Sequence, residues 1–577
     1  MLKKVNIKID GKEIKCNEGE IIMDVAYNNG IIIPGLCGHP DLPKKGNCRI
    51  CVVEIKGRRK LEISCHTKVE EGMDIETDSE RVRKSRNLNI ELIFAEHIEK
   101  CPTCIWNVNC KLLELAEKYK VDIKRFSERK TRRKTYKFGN AVEIDGSQCI
   151  DCRNCVDACS ILQNINYLEL EGKGVNQEVV PIKNKKLECI YCGQCALHCP
   201  VGAAQEQAHW DMVEKLIKIK NRNHKKIIVA QFAPSIRVSI GEEFGLPYGE
   251  IVTEKIVASL RELGFDYVFD VNFGADLTTM VEAEELIERI TGKGEGPKDM
   301  PMITSCCPAW VRYTELYHSE LIPNLTTSRS PQIHNGGVIK TFWANSLDIN
   351  PKDIVTVSIM PCTSKKYEAS RSEMKIKGMF PVDYVLTTRE LAWMIKKNNI
   401  DFKGIKDSKA DNPLGEYSGA AAIYGGSGGV MESALRTAHA KICGDKKIGT
   451  CVPVIDFKPV RGLEGVKEAI VKVSDLKLRI AVVNGIGNVE PIIKRLKDFD
   501  YIEVMACPGG CIGGGGQPIP TNQKIREERI KALYKIDKNK KLRKAHDNKG
   551  VKEVLEWLGN QKGNLEHKVL HTKYKKK

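Results

Sequence analysis

The chain has 577 residues, 42% of them hydrophobic and 29% charged, with 23 cysteines and a formal net charge of +17 at pH 7. That length divides into about four domains with well-filled cores, and no apolar run reaches the roughly 18 residues that a membrane helix needs. The basic excess would point to nucleic acid were the cysteines neutral, but clusters on the sites described below would remove about nine charges, so neither nucleic acid nor membrane is expected as a partner. The first ten residues alternate apolar and polar without a signal-peptide core, and the expected location is the cytoplasm, where thiols stay reduced and cysteines bind metal.

Residues 1–80 read as a small β-rich unit of ferredoxin-like, β-grasp type, with a strand at Val5–Ile9, an Asp10-Gly11 turn and a short helix near Ile21–Asn29. Its cysteines Cys37, Cys48, Cys51 and Cys65 put a close pair between two distant partners, a pattern that suits a 2Fe-2S site, with structural zinc as the rival. In residues 81–125, His97-x3-Cys101-x2-Cys104-x5-Cys110 can close a metal site by itself. Spacing does not separate zinc from a 4Fe-4S cube there; the neighbouring cluster motifs favour the cube. The basic segment Lys118–Lys137 reads as a solvated linker, with a docking face for an acidic redox partner as the alternative.

Residues 126–210 carry the strongest signal, Cys149-x2-Cys152-x2-Cys155-x3-Cys159 followed by Cys189-x2-Cys192-x2-Cys195-x3-Cys199-Pro200. Three thiolates of each run hold one cube, and the fourth belongs to the cube of the other run. The expected sets are Cys149, Cys152, Cys155 and Cys199, and Cys189, Cys192, Cys195 and Cys159.

From 211 to 577 strands alternate with helices, at Lys226–Phe232, Tyr267–Phe273, Pro301–Thr304, Ile354–Met360, Ile480–Val483 and Ile502–Met505, with a capping box at Thr387–Glu390. This predicts a multidomain α/β chain whose last unit has buried, mainly parallel sheets. Three strands run into cysteines, at Cys306-Cys307, Cys362 and Cys507 to Cys511, and the carboxyl ends of such strands converge on a ligand crevice.

The segments Thr304-Ser305-Cys306-Cys307-Pro308-Ala309-Trp310, Met360-Pro361-Cys362-Thr363-Ser364-Lys365-Lys366-Tyr367-Glu368 and Glu503 to Pro518 resemble the three signatures of iron-only (FeFe) hydrogenases of the clostridial multi-cluster type. The resemblance implies a two-lobed H-domain and a six-iron H-cluster, a 4Fe-4S cube joined through a cysteine sulfur to a di-iron unit bearing carbon monoxide, cyanide and an azadithiolate. It assigns Cys307, Cys362, Cys507 and Cys511 to that cube, with Cys511 bridging. It further implies that Lys365 and the loop Ala233, Pro234 and Ser235 contact the cyanides, that Met360, Met505, Pro331 and Gln332 line the pocket, and that Cys306 is the last proton donor. Glu282, Glu285 and Arg289, at i, i+3 and i+7 of a helix Asp276–Ile290, and Thr326, where the clostridial pattern has Ser, complete the implied path. Taken without the resemblance, the charged trio is a solvated helix face and Cys306 a buried inert thiol.

The function so implied is reversible conversion of protons and electrons to H2, by a monomer that receives electrons from ferredoxin or flavodoxin and its di-iron unit from maturation proteins. Its rivals are a subunit of an electron-bifurcating complex, an H2 sensor and a respiratory dehydrogenase subunit. Cys16, Cys443 and Cys451 have no assigned role. His567 and His571, at i and i+4, read as part of a docked tail, with a metal pair as the lesser alternative.

Overall fold

The computed structural model describes residues 3–107, 110–126, 133–184, 186–223, 226–293, 299–444, 456, 458–473 and 476–577. Cys451 and the middle of the basic segment lie outside them.

The N-terminal unit is a five-stranded sheet in the order Lys12–Asn17, Lys4–Ile9, Asp74–Glu76, Val52–Ile55, Glu62–Ile63. Lys4–Ile9 buries alternate residues against the helix Ile22–Asn28, as a half-covered strand should. The Asp10-Gly11 turn has positive φ at both positions, 50° and 80°, the geometry of a tight hairpin. The helix Glu80–Glu96, capped by Ser79, leads to His97 and the short helix Lys111–Tyr119. A three-stranded antiparallel sheet, Ala204–Glu206, Val142–Asp145 and Thr135–Phe138, then frames the doubled cysteine runs. Arg133, counted in the expected solvated linker, is buried and paired with Asp151 at 2.7 Å.

The last unit has two four-stranded sheets. One is wholly parallel, in the order Tyr267–Asp270, Ile227–Phe232, Ile354–Met360, Tyr384–Thr387. The other runs Met302–Ile303, Tyr501–Met505, Leu476–Asn484, Val466–Val473, with only the last strand antiparallel. Tyr501–Met505 is buried at every position, as a strand covered on both faces requires. The expected capping box closes on Thr387 and Glu390.

One expected strand is shorter. Tyr267–Phe273 stops at Asp270, whose side chain accepts from Asn272 N–H at 2.9 Å and caps a helix running from Val271 to Thr291. A capping carboxylate so placed ends the strand and starts the helix. That helix is covered on nearly every side, so Glu282, Glu285 and Arg289 are buried and do not form a solvated face. The C-terminal helices Gln523–Asn539, Lys549–Gly559 and Leu565–Leu570 fold back on this unit, where Thr572 N–H donates to Thr327 O at 2.8 Å. Among the described residues no helix is long and apolar enough to cross a membrane.

Candidate active site and cluster modules

The two cysteine runs fold alike. Asp151 and Arg153 in the first, Tyr191 and Gly193 in the second, have positive φ of 53°, 66°, 63° and 72°. These kinks turn amides onto sulfur: Asp151 N–H donates to Cys149 Sγ at 3.4 Å and Tyr191 N–H to Cys189 Sγ at 3.3 Å. Tyr167 N–H and Ala204 N–H do the same for Cys159 and Cys199. Such donors favour thiolates, the ligating form. Cys149, Cys152, Cys155 and Cys199 line one small cavity of about 10 Å³, and Cys159, Cys189, Cys192 and Cys195 line another of about 20 Å³.

Upstream, Cys48 N–H donates to Cys37 Sγ at 3.5 Å, and Cys51 and Cys65 are hydrogen-bond partners. His97 Nδ1 meets Gln148 O at 2.8 Å. A carbonyl only accepts, so Nδ1 carries the proton and the neutral ring presents its lone pair at Nε2, as a metal ligand must. These sites form a branched series. Cys37 lies within electrostatic range of Cys152, Cys104 of Cys199, Cys155 of Cys195, and Cys192 of Cys507. At the last step Cys507 Sγ is 4.0 Å from Cys192 O.

Strands Ile227–Phe232, Met302–Ile303, Ile354–Met360 and Tyr501–Met505 all end at one cavity, whose walls include Cys306, Cys307, Cys362, Cys507, Cys511 and Lys365. At about 70 Å³ it is larger than either four-thiol cavity. Ala233, Pro234, Pro331, Gln332, Met360 and Met505 line it. Ser235 stands behind the wall, its Oγ accepting from Gln517 Nε2 at 3.3 Å.

Residues 226–515 match the family described as iron only hydrogenase large subunit, C-terminal domain. The chain belongs to the iron-only hydrogenase family. Residues 2–80 match a 2Fe-2S iron-sulfur cluster binding domain, 86–125 the iron-sulfur binding region of NADH-ubiquinone oxidoreductase-G, 148–203 a 4Fe-4S dicluster domain, and 523–577 the iron hydrogenase small subunit. Iron hydrogenase 1 of Clostridium pasteurianum is 40% identical across 99% of this chain and all of its own. The NADP-reducing hydrogenase subunit HndD of Solidesulfovibrio fructosivorans is 40% identical across 99% of both. A solved structure of apo [FeFe]-hydrogenase HydA1 from Chlamydomonas reinhardtii is 35% identical, spans 63% of this chain and 98% of its own, and superposes with a TM-score of 0.54.

This hydrogenase therefore carries iron–sulfur clusters and an H-cluster, and the catalytic cavity fits the larger group. Four thiols on its wall, Cys362 and Cys507 buried and Cys307 and Cys511 half-buried, suit a cube, and the cavity continues past them to Ala233, Pro331 and Lys365. The glycines between Gly509 and Gly516 serve mainly backbone packing. A Cβ at Gly514 would lie 2.2 Å from Pro361 O, and one at Gly515 2.4 Å from Cys192 O. The second of these contacts brings the ferredoxin-like loop against the catalytic cavity, where Gln194 Nε2 also donates to Gly513 O at 2.9 Å.

Lys365 Nζ donates to Cys306 O at 3.0 Å and to Glu368 Oε2 at 2.9 Å, leaving one donor of its three for the cavity. Ser330 Oγ and Gln332 Nε2 donate to the same carboxylate oxygen. Glu368 was within the signature but not singled out; only the fold shows it as the shared acceptor.

Behind Cys306 lies the expected acidic series. Both oxygens of Glu282 are buried without a hydrogen-bond partner among the described residues. Burial first, then Glu285 and Glu503, pushes its carboxyl well above the usual range, so it is held as the neutral acid. Thr326 Oγ1 donates to Glu285 Oε2 at 2.9 Å, and Arg289 Nη2 donates to Glu285 Oε1. Glu282 takes no direct hydrogen bond from Glu285, Thr326 or Cys306.

Proposed function

We propose that this hydrogenase interconverts protons and H2, 2H+ + 2e− ⇌ H2, with electrons from ferredoxin or flavodoxin in a reducing cytoplasm. The observation that carries the reading is the convergence, at one set of strand ends, of four cavity-lining thiols, a fifth thiol backed by an acidic series, and a lysine anchored by a carboxylate. Cys307, Cys362, Cys507 and Cys511 would hold the H-cluster, which when bound supplies the redox and proton-accepting chemistry. Nineteen cysteines and His97 would in total hold one 2Fe-2S cluster, three accessory 4Fe-4S cubes and this centre. Electrons would pass from the outer modules through the Cys149 and Cys189 sites toward Cys507. Cys306, Glu282, Glu285 and Thr326 would move protons, the groups nearest Cys306 being dry and therefore able to hold a proton without losing it to solvent. Lys365 orients groups in the cavity, and Glu368 orients Lys365.

The test is anaerobic maturation followed by infrared spectroscopy of the carbonyl and cyanide region and H2 evolution with reduced ferredoxin. Cys306→Ala should keep the infrared bands and lose nearly all turnover; full turnover in that variant would remove Cys306 from the path. A second reading, a catalytic subunit within an NAD(P)-linked complex, draws on the similarity to the HndD subunit. Turnover of the isolated chain with ferredoxin alone favours the first reading.

A further inference from the structure

Resting on the proton path just proposed, we infer that protons reach Glu285 through Thr327 and the C-terminal His571, with His567 as the solvent-side group. Thr327 Oγ1 donates to Glu285 Oε2 at 2.9 Å, and the same hydroxyl lies 2.8 Å from His571 Nδ1. The His571 ring is half-buried and stacks on the exposed ring of His567 with centroids 5.1 Å apart. The placement is built: Ser328 and His571 form an antiparallel bridge, flanked by Arg329 N–H to Leu570 O at 2.9 Å and Thr572 N–H to Thr327 O at 2.8 Å.

Arg289 is poorly suited to the same task. Its side chain is fully buried. Its Nη1 donates to Asp299 O and Asn324 O, and its Nη2 to Leu325 O and Glu285. A guanidinium also stays protonated at any working pH, so it clamps Glu285 and does not hand on protons.

The hydroxyl's single proton goes to Glu285, so in the resting arrangement His571 Nδ1–H donates to Thr327. A proton arriving at Nε2 makes an imidazolium. The Nδ1–H bond then breaks as Thr327 Oγ1 takes that proton, while the hydroxyl's own proton passes to Glu285 Oε2. One proton has entered, and ring, hydroxyl and carboxylic acid are all neutral. Hydroxyl rotation and proton exchange with solvent reset the ring. The titratable or charged groups facing His571 are His567 on its own helix, Glu285 on the long helix, the buried His334 on the helix Pro331–Val338 and Arg329 on the bridged segment. Burial and the two basic neighbours hold the ring below its ordinary range against the pull of Glu285, so it is mostly neutral at pH 7 and passes protons on without storing them.

The test uses the matured full-length enzyme with Thr327→Val, Thr327→Ser, His571→Phe and His571→Gly. H2 evolution at pH 7 should fall about tenfold or more in Thr327→Val and His571→Phe, with infrared bands of the centre unchanged. Thr327→Ser should stay within about twofold, because the hydroxyl is kept. Added imidazole should restore His571→Gly. After a pH jump, the appearance of the carboxylic-acid stretch of Glu285 should slow by the same factor as turnover. Wild-type turnover and pH profile in both Thr327→Val and His571→Phe would overturn the inference. Should His571→Phe fail to load its clusters, the contrast between valine and serine at 327 decides. Glu285→Gln separates the two levels. Wild-type turnover there removes the underlying path, whereas loss there with normal Thr327→Val and His571→Phe removes only this route.

Discussion

Glu368 offers the sharpest test of how the cavity is held. Its Oε2 accepts from Lys365 Nζ at 2.9 Å, Ser330 Oγ at 2.8 Å and Gln332 Nε2 at 2.7 Å. The ion-paired side chains are only 10% and 5% exposed, so solvent screens the pair little. Glu368→Gln preserves shape but strands an ammonium in a dry site, and breaking a buried pair from one side costs about 3–5 kcal/mol. Lys365→Met strands a carboxylate at a similar cost. The double variant removes both charges, so its cost should fall short of the sum, with a coupling energy of about 2–3 kcal/mol. Anaerobic denaturant titration of the full chain reads this in the catalytic-domain transition, where Trp310 and Trp343 are fully buried reporters. A coupling energy under about 0.5 kcal/mol would refute the claim that the two residues act as a unit.

Burial lifts Glu503 from 4.5 to about 7. The folded state holds that proton more tightly than the unfolded chain, so this stabilisation is present below about pH 4.5 and is lost as pH rises through 7; the span is worth about 3 kcal/mol. Glu503→Gln turns an NH2 toward the amide of Gly428 or Met431, a cost at every pH, so its stability relative to the parent should be higher at pH 8 than at pH 5, measured as denaturation midpoints; equal shifts at both pH values would contradict this. Cys159→Ser should destroy the cube of Cys189, Cys192 and Cys195 and spare that of Cys149, Cys152 and Cys155, read by electron paramagnetic resonance and iron content; the opposite pattern would reverse the ligand exchange. Gly515→Ala places a Cβ 2.4 Å from Cys192 O and 2.6 Å from Gly193 Cα. It should loosen the docking of the ferredoxin-like loop at a cost of about 1–3 kcal/mol and slow reduction of the catalytic centre by ferredoxin, with accessory clusters intact; unchanged reduction kinetics would show that the close contact is incidental.

The features legible in the sequence are those written locally. Cysteine spacing points to the sets of the doubled runs because three ligands of each sit in one short loop, and a strand such as Ile354–Met360 is recognisable as a β-branched run even though Thr356 and Ser358 share one face. The buried helix was not legible in the same way. Glu282, Glu285 and Arg289 at i, i+3 and i+7 carry the pattern of a solvated face, and only the packing of neighbouring elements over Val271–Thr291 buries them. The reach of the tail is equally silent, since Thr327 and His571 are 244 residues apart and meet through a two-strand bridge. The glycine run announced close approach but not its partner, which is the Cys192 loop as much as the cavity.

Cys306 and Cys307 show how adjacent, chemically identical side chains are set to different work. Cys307 is the N-cap of the helix Pro308–Tyr317, and amides of Ala506, Trp310 and Ala309 point at its sulfur. Helix N-terminal donors favour the thiolate and partly offset its burial, which suits a metal ligand. Cys306 has no such donors among the described residues, and burial above all pushes its thiol well above the ordinary range. One backbone step thus separates a sulfur whose burial is partly offset by amide donors from one whose burial is not. The lysine that could blur the distinction is tied down: Lys365 donates to the carbonyl of Cys306 and is neutralised by Glu368. In the proposed mechanism the electron side, toward Cys507 and Cys192, and the proton side, toward Glu282, would thus part at a single peptide bond by which neighbours each sulfur meets.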